Sequence, residues 1–184
     1  SLEDLVREIR KRLDDMEREV KKVDDESRKR LDEARKRVEK INRESEKRLK
    51  EVADELSELK DDELKKRLED LRRELRKLHE RADRELEELT RRLEEKHKEA
   101  KRELDELKRR MEEILRDIER KNSSDEKLAR DLRREVRKLE KRLEELLKEL
   151  KETTEKILRE LERLLKKLED DTRRVLEEIK ELKR

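Results

Sequence analysis

The chain has 184 residues, of which 64% are charged, with 60 Lys and Arg set against 58 Asp and Glu. It contains no Gly, Pro, Cys, Phe, Tyr or Trp. Ordinary globular chains are about a quarter charged and use roughly 7% Gly and 5% Pro, so this composition excludes loop-rich folds and most sheet folds. Without cysteine there are no disulfides and no thiolate metal ligands, and the redox compartment is left undetermined. The longest apolar run is two residues, too short for a transmembrane span or a signal-peptide core. A net charge of +2 gives no overall field for nucleic acid or anionic lipid. The balanced charges read as a solvated face.

High charge with few apolar residues is also the signature of disorder. Arrangement argues against it, because the apolar residues stand on a fixed ladder for the length of the chain. The first ladder runs Leu2, Leu5, Ile9, Leu13, Met16, Val20, Val23, Ser27, and continues from Leu31 to Leu59. Its steps of 3, 4, 4, 3 and 4 repeat every eighteen residues. A heptad averages 3.5 residues per turn and forces a left-handed supercoil. This ladder averages about 3.6, which lets helices pack with little or no supercoil.

A second ladder covers Leu64 to Ile118 and a third Leu128 to Leu182. The phase slips only between Leu59 and Leu64 and between Ile118 and Leu128. Those slips mark turns. Asp61 or Asp62 is placed to cap the second helix. Ser123 with Glu126 makes a capping box before the third, and Ser1 with Asp4 resembles one at the start. The reading is an all-α, long, nearly straight antiparallel three-helix bundle. It forms a single domain over residues 1–184, with helices at about 2–60, 62–121 and 124–184. Short connections make sequence neighbours antiparallel.

Six ladder positions are polar: Ser27 and Ser45 in the first helix, His79 and His97 in the second, Thr154 and Thr172 in the third. Each pair is eighteen residues apart, five helical turns, so its members share a face. Antiparallel helices pair at a constant sum of residue numbers. Ser27 with His97 and Ser45 with His79 both give 124. Parallel helices pair at a constant difference. Ser27 to Thr154 and Ser45 to Thr172 are both 127. One repeat outward, the same rule predicts an apolar layer of Ile9, Leu115 and Val136. The expected polar layers are therefore Ser27–His97–Thr154 and Ser45–His79–Thr172. For the third helix this register implies a turn near 125–126, slightly past the apparent loop.

Three functions are open to such layers. As structural devices they fix register, since a slipped alignment strands an imidazole among leucines. As pH triggers they weaken the bundle in acid, because burial disfavours the charged imidazole. As chemistry they offer Ser27 and His97 as nucleophile and base, but no ladder carboxylate orients the ring and no Gly-rich turn supplies an oxyanion hole. No enzyme activity is expected. No cofactor is implied, and one histidine per layer does not make a metal site. A fourth possibility rests on an extra apolar stripe in the third helix: Leu147, Leu158, Leu165 and Leu176. It would suit self-association or a partner helix, or simply cover the seam of the bundle.

These features together resemble a family of man-made proteins, the computationally (de novo) designed helical bundles with buried hydrogen-bond networks. The resemblance spans the whole chain. It rests on the eighteen-residue ladder, the Leu, Ile and Val core, the Glu, Lys and Arg surface, the capped turns and the Ser/His/Thr layers. It implies a scaffold without natural biochemical activity. In some members of that family buried histidines act as pH triggers, and in others such networks only set pairing. A start at Ser1 without methionine fits a trimmed recombinant chain.

Overall fold

The computed structural model describes residues 2–58, 60–120 and 126–183. Three helices make up nearly all of them: α1 (Leu2–Ser57), α2 (Asp62–Arg120) and α3 (Glu126–Glu181). No strand occurs among the described residues. The three helices pack against one another as an all-α three-helix bundle. Leu, Glu, Lys and Arg are strong helix formers, and the chain has no Gly or Pro to break the run. The ladder gives each helix one apolar stripe to bury.

The helix ends follow local chemistry. α1 stops at Ser57, earlier than expected, where the Ser57 hydroxyl donates back to the Asp54 carbonyl at 2.7 Å. Lys60 then takes a left-handed backbone conformation, φ 53°, which ends a right-handed helix. Asp61 is the N-cap of α2. Its carboxylate accepts the backbone N–H of Glu63 at 3.1 Å and of Leu64 at 3.3 Å, two donors the helix itself leaves unpaired. The Ser123–Glu126 box, Ser1, Leu59 and the turn expected near 125–126 lie wholly or partly outside the described residues.

The chain forms two compact units, each built from all three helices. The first comprises residues 1–28 and 93–156, the second 29–92 and 157–184. In the first, Ile9, Met111, Leu143 and Val136 belong to one buried cluster, with Leu115 beside them. The expected layer Ile9–Leu115–Val136 therefore lies within a single core. In the second, Leu56, Leu71, Leu75, Val175 and Ile179 form another such cluster. Among described side chains no ladder residue is exposed. Most are buried, and Leu5, Val23, Ile41, Leu64, His79, Leu128 and Leu182 are half-buried.

Ion pairs on the surface report the register. In the first unit Arg12 meets Glu144 at 3.2 Å and Lys151 meets Glu19 at 3.4 Å. In the second, Arg30 meets Glu162 and Arg37 meets Glu169. Each pair joins α1 to α3 across 132 positions, so these helices run parallel. The value exceeds the layer difference of 127 by five residues, about 7.5 Å of rise. Extended Arg and Glu side chains span that gap on the flank of a parallel pair. α2 runs opposite to both. Arg10–Glu119 and Arg142–Glu103 show this in the first unit, and Arg67–Glu178 and Arg174–Glu74 in the second.

Candidate functional site

Ser27, His97 and Thr154 all lie in the first unit, and each is buried. Ser45, His79 and Thr172 lie in the second, where the hydroxyl residues are buried and His79 is half-buried. The structure joins one pair directly. Ser27 Oγ stands 3.4 Å from His97 Nε2. The Thr154 and Thr172 hydroxyl oxygens are buried without a hydrogen-bond partner, as is His79 Nε2. Neither Ser–His–Thr set closes into a bonded ring.

Both serines spend their proton on their own helix. Ser27 donates to the Val23 carbonyl, and Ser45 donates to the Ile41 carbonyl at 2.7 Å. This back-bonding to the fourth residue before is common for a hydroxyl inside a helix. It fixes the roles at the first layer. A hydroxyl has one proton, so a hydrogen bond between this pair has Ser27 accepting, and it requires the tautomer with the ring proton on Nε2. The Nδ1 of a neutral ring is then a bare lone pair.

That lone pair faces a residue off the ladder. His97 Nδ1 is 3.4 Å from Asp24 Oδ1, and the same oxygen is 3.3 Å from Arg28 Nε. Asp24 is half-buried, and the His97 side chain is only 9% exposed. The sequence held a signal for this contact. Asp24 and His97 sum to 121, and so do Asn42 and His79, one repeat on. Asn42 thus holds the position that Asp24 holds in the first unit, and its Oδ1 is buried without a partner.

The two imidazoles are held below their ordinary value by the same leading cause. For His97, burial lowers the pKa, Asp24 raises it and Arg28 lowers it. For His79, burial lowers it while Asp83 and Glu46 raise it. Both Asp83 and Glu46 are exposed, so solvent screens their pull.

The groove beside His97, about 750 Å³, is bordered by Asp24, Arg28, Glu94 and Lys101. Ser27 is not part of its wall and is 1% exposed. With its proton committed to Val23, that hydroxyl is shielded from any molecule in the groove. Among the described residues no group of three or more His, Cys, Asp or Glu is placed to hold a metal ion. No described helix is long and apolar enough to cross a membrane.

Part of the extra stripe of α3 lies against the bundle's own side chains. Leu147 packs on the core of the first unit and Leu176 on that of the second. Leu158 is 6% exposed, and Leu165 is half-buried. Two further residues joined the interior without belonging to the ladder, Ile114 and Thr90. Thr90 donates to the Leu86 carbonyl at 2.8 Å. Comparison with protein-family models, with curated proteins and with solved structures finds no match.

Proposed function

We propose that this chain is a designed helical scaffold whose task is to hold one alignment of three helices, and that its polar layers select that alignment. The buried Ser27–His97 contact carries the reading. An apolar ladder that repeats every eighteen residues can slide by one repeat at little loss of burial. A slip of α1 against α2 that lowers the paired sum from 124 to 106 sets His97 opposite Ile9, and Nε2 loses its Ser27 partner. An unpaired buried polar atom costs about 1–3 kcal/mol. The surface supports the same reading. Arg12–Glu144 and Arg30–Glu162 are one repeat apart, as are Glu19–Lys151 and Arg37–Glu169. Ion pairs repeated at the core period suit a sequence written to a geometric plan.

The test is a variant in which both layers are apolar, with Ser27→Ala, His97→Leu, Thr154→Val, Ser45→Ala, His79→Leu and Thr172→Val. Expected are greater resistance to denaturant and loss of uniqueness, seen as extra masses in light scattering or doubled amide resonances. A single species with one set of resonances would overturn the proposal.

A second reading is favoured by one observation: both imidazoles are held below their ordinary value by burial. On that reading acid weakens the bundle.

A further inference from the structure

The eighteen-residue repeat makes the two histidine sites comparable position by position, and the comparison shows them to be chemically unlike. The charged groups that line the groove with His97 include Asp24 and Arg28 from α1 and Glu94, Lys98 and Lys101 from its own helix. The charged groups that act on His79 include Glu46 from α1 and Asp83 from its own helix, and the α2–α3 groove next to it is lined by Arg81, Glu85, Lys167 and Asp171. Moving one repeat from the first site to the second turns Asp24 into Asn42, Arg28 into Glu46 and Lys101 into Asp83.

What decides the response to acid is whether an added N–H finds an acceptor. At His97 the neutral ring already gives Nε2–H to Ser27 and points a bare Nδ1 at a carboxylate oxygen 3.4 Å away. A lone pair facing an anion is repelled. A proton on Nδ1 turns that repulsion into the attraction of an ion pair. Nδ1 itself is shut off from solvent, and Arg28 Nε already pairs with that oxygen at 3.3 Å. A proton is therefore the cation the gap admits, and a metal ion with its waters is not.

At His79 the buried Nε2 has no partner. The hydroxyl of Ser45 is turned to Ile41. Asn42, standing where Asp24 stands in the first unit, is neutral. Glu46 and Asp83 attract a charge through solvent, yet neither accepts a hydrogen bond from that nitrogen. A proton added at Nε2 is then an N–H without an acceptor, which is costly where that atom is buried.

We infer that the two layers are an asymmetric acid device: protonation completes the Ser27–His97–Asp24 chain, whereas at His79 it breaks the packing, so the second unit loosens in acid before the first. The inference rests on the acid response proposed above, and the two fail differently. If neither unit loosens in acid, the acid response itself is refuted. If both loosen together, only the asymmetry is refuted.

The experiment is an NMR titration of the two imidazole rings in the full chain, with amide hydrogen exchange followed over the same pH range. Wild type, Asp24→Asn and Asn42→Asp are compared. His97 is expected to protonate at the higher pH of the two. Asp24→Asn should move the His97 midpoint down towards that of His79, and Asn42→Asp should move the His79 midpoint up. In wild type, exchange near Ser45 and Thr172 should accelerate at a higher pH than exchange near Ser27 and Thr154. A His79 midpoint at or above that of His97, or an unchanged His97 midpoint in Asp24→Asn, would overturn the inference.

Discussion

His97 Nδ1 and Asp24 Oδ1 stand 3.4 Å apart, and the opposite ring nitrogen of His97 stands 3.4 Å from Ser27 Oγ. One imidazole thus has a group of α1 at each ring nitrogen, a hydroxyl within hydrogen-bond reach of Nε2 and a carboxylate that attracts Nδ1 once the ring is charged. Its counterpart His79 has a buried nitrogen held by nothing. The energetics of the polar layers turn on this contrast.

Removing the two serine hydroxyls should not cost the same. Ser27→Ala takes away the acceptor of a buried ring N–H, and such a loss costs about 1–3 kcal/mol. Ser45→Ala removes only a back-bond to the Ile41 carbonyl, so its cost should fall below that of Ser27→Ala. Denaturant midpoints of the two variants at pH 7.5 check the order.

The pH dependence has a definite sign. Both imidazoles sit below their ordinary value of 6.5. The unfolded chain therefore binds protons more readily than the folded one. The histidine contribution to stability is complete above about pH 6.5 and declines as pH falls towards the folded values. Guanidinium midpoints should drop between pH 7.5 and 4.5 in wild type. In His79→Leu the drop should be smaller.

Core truncation should be severe. Met111 and Val175 are fully enclosed, one in each unit's core. Replacing a buried large side chain by Ala typically costs about 2–5 kcal/mol. Met111→Ala should lie in that range and Val175→Ala, which removes less volume, at or below its lower end, both by chemical denaturation.

The surface ion pairs should matter little. The Arg12 and Glu144 side chains are 46% and 66% exposed, and exposed pairs contribute about 0–1 kcal/mol before screening by salt. Arg12→Ala should shift the denaturant midpoint by less than Ser27→Ala does. Raising the salt concentration should leave wild-type stability nearly unchanged.

Much of this was legible in the sequence because helical period and burial are the same information on a breaker-free chain. The three ladders named the interior, and a cap at Asp61 or Asp62 followed from their place before the second ladder, with the structure selecting Asp61. The end of α1 at Ser57 was not legible, since Leu56 and Leu59 keep perfect phase. A hydroxyl bonding back to Asp54 and the backbone turn at Lys60 decided it. The burial of Ser27, Ser45, Thr154 and Thr172 followed from phase, but their bonding did not. A hydroxyl inside a helix always has its own backbone carbonyl within reach, so phase alone does not say whether its proton turns inward. Asp24 was missed for a related reason. It sits on the flank of the ladder, and only the summed register ties it to His97.

The most direct measurement is the set of nuclear Overhauser contacts from the two histidine rings, in protein labelled at His, Ser and Thr. The His97 ring should show contacts to the Ser27 methylene and the Thr154 methyl, and the His79 ring to Ser45 and Thr172. Contacts from His97 to Ser45 or Thr172, or from His79 to Ser27 or Thr154, would contradict the register and with it the role of the polar layers.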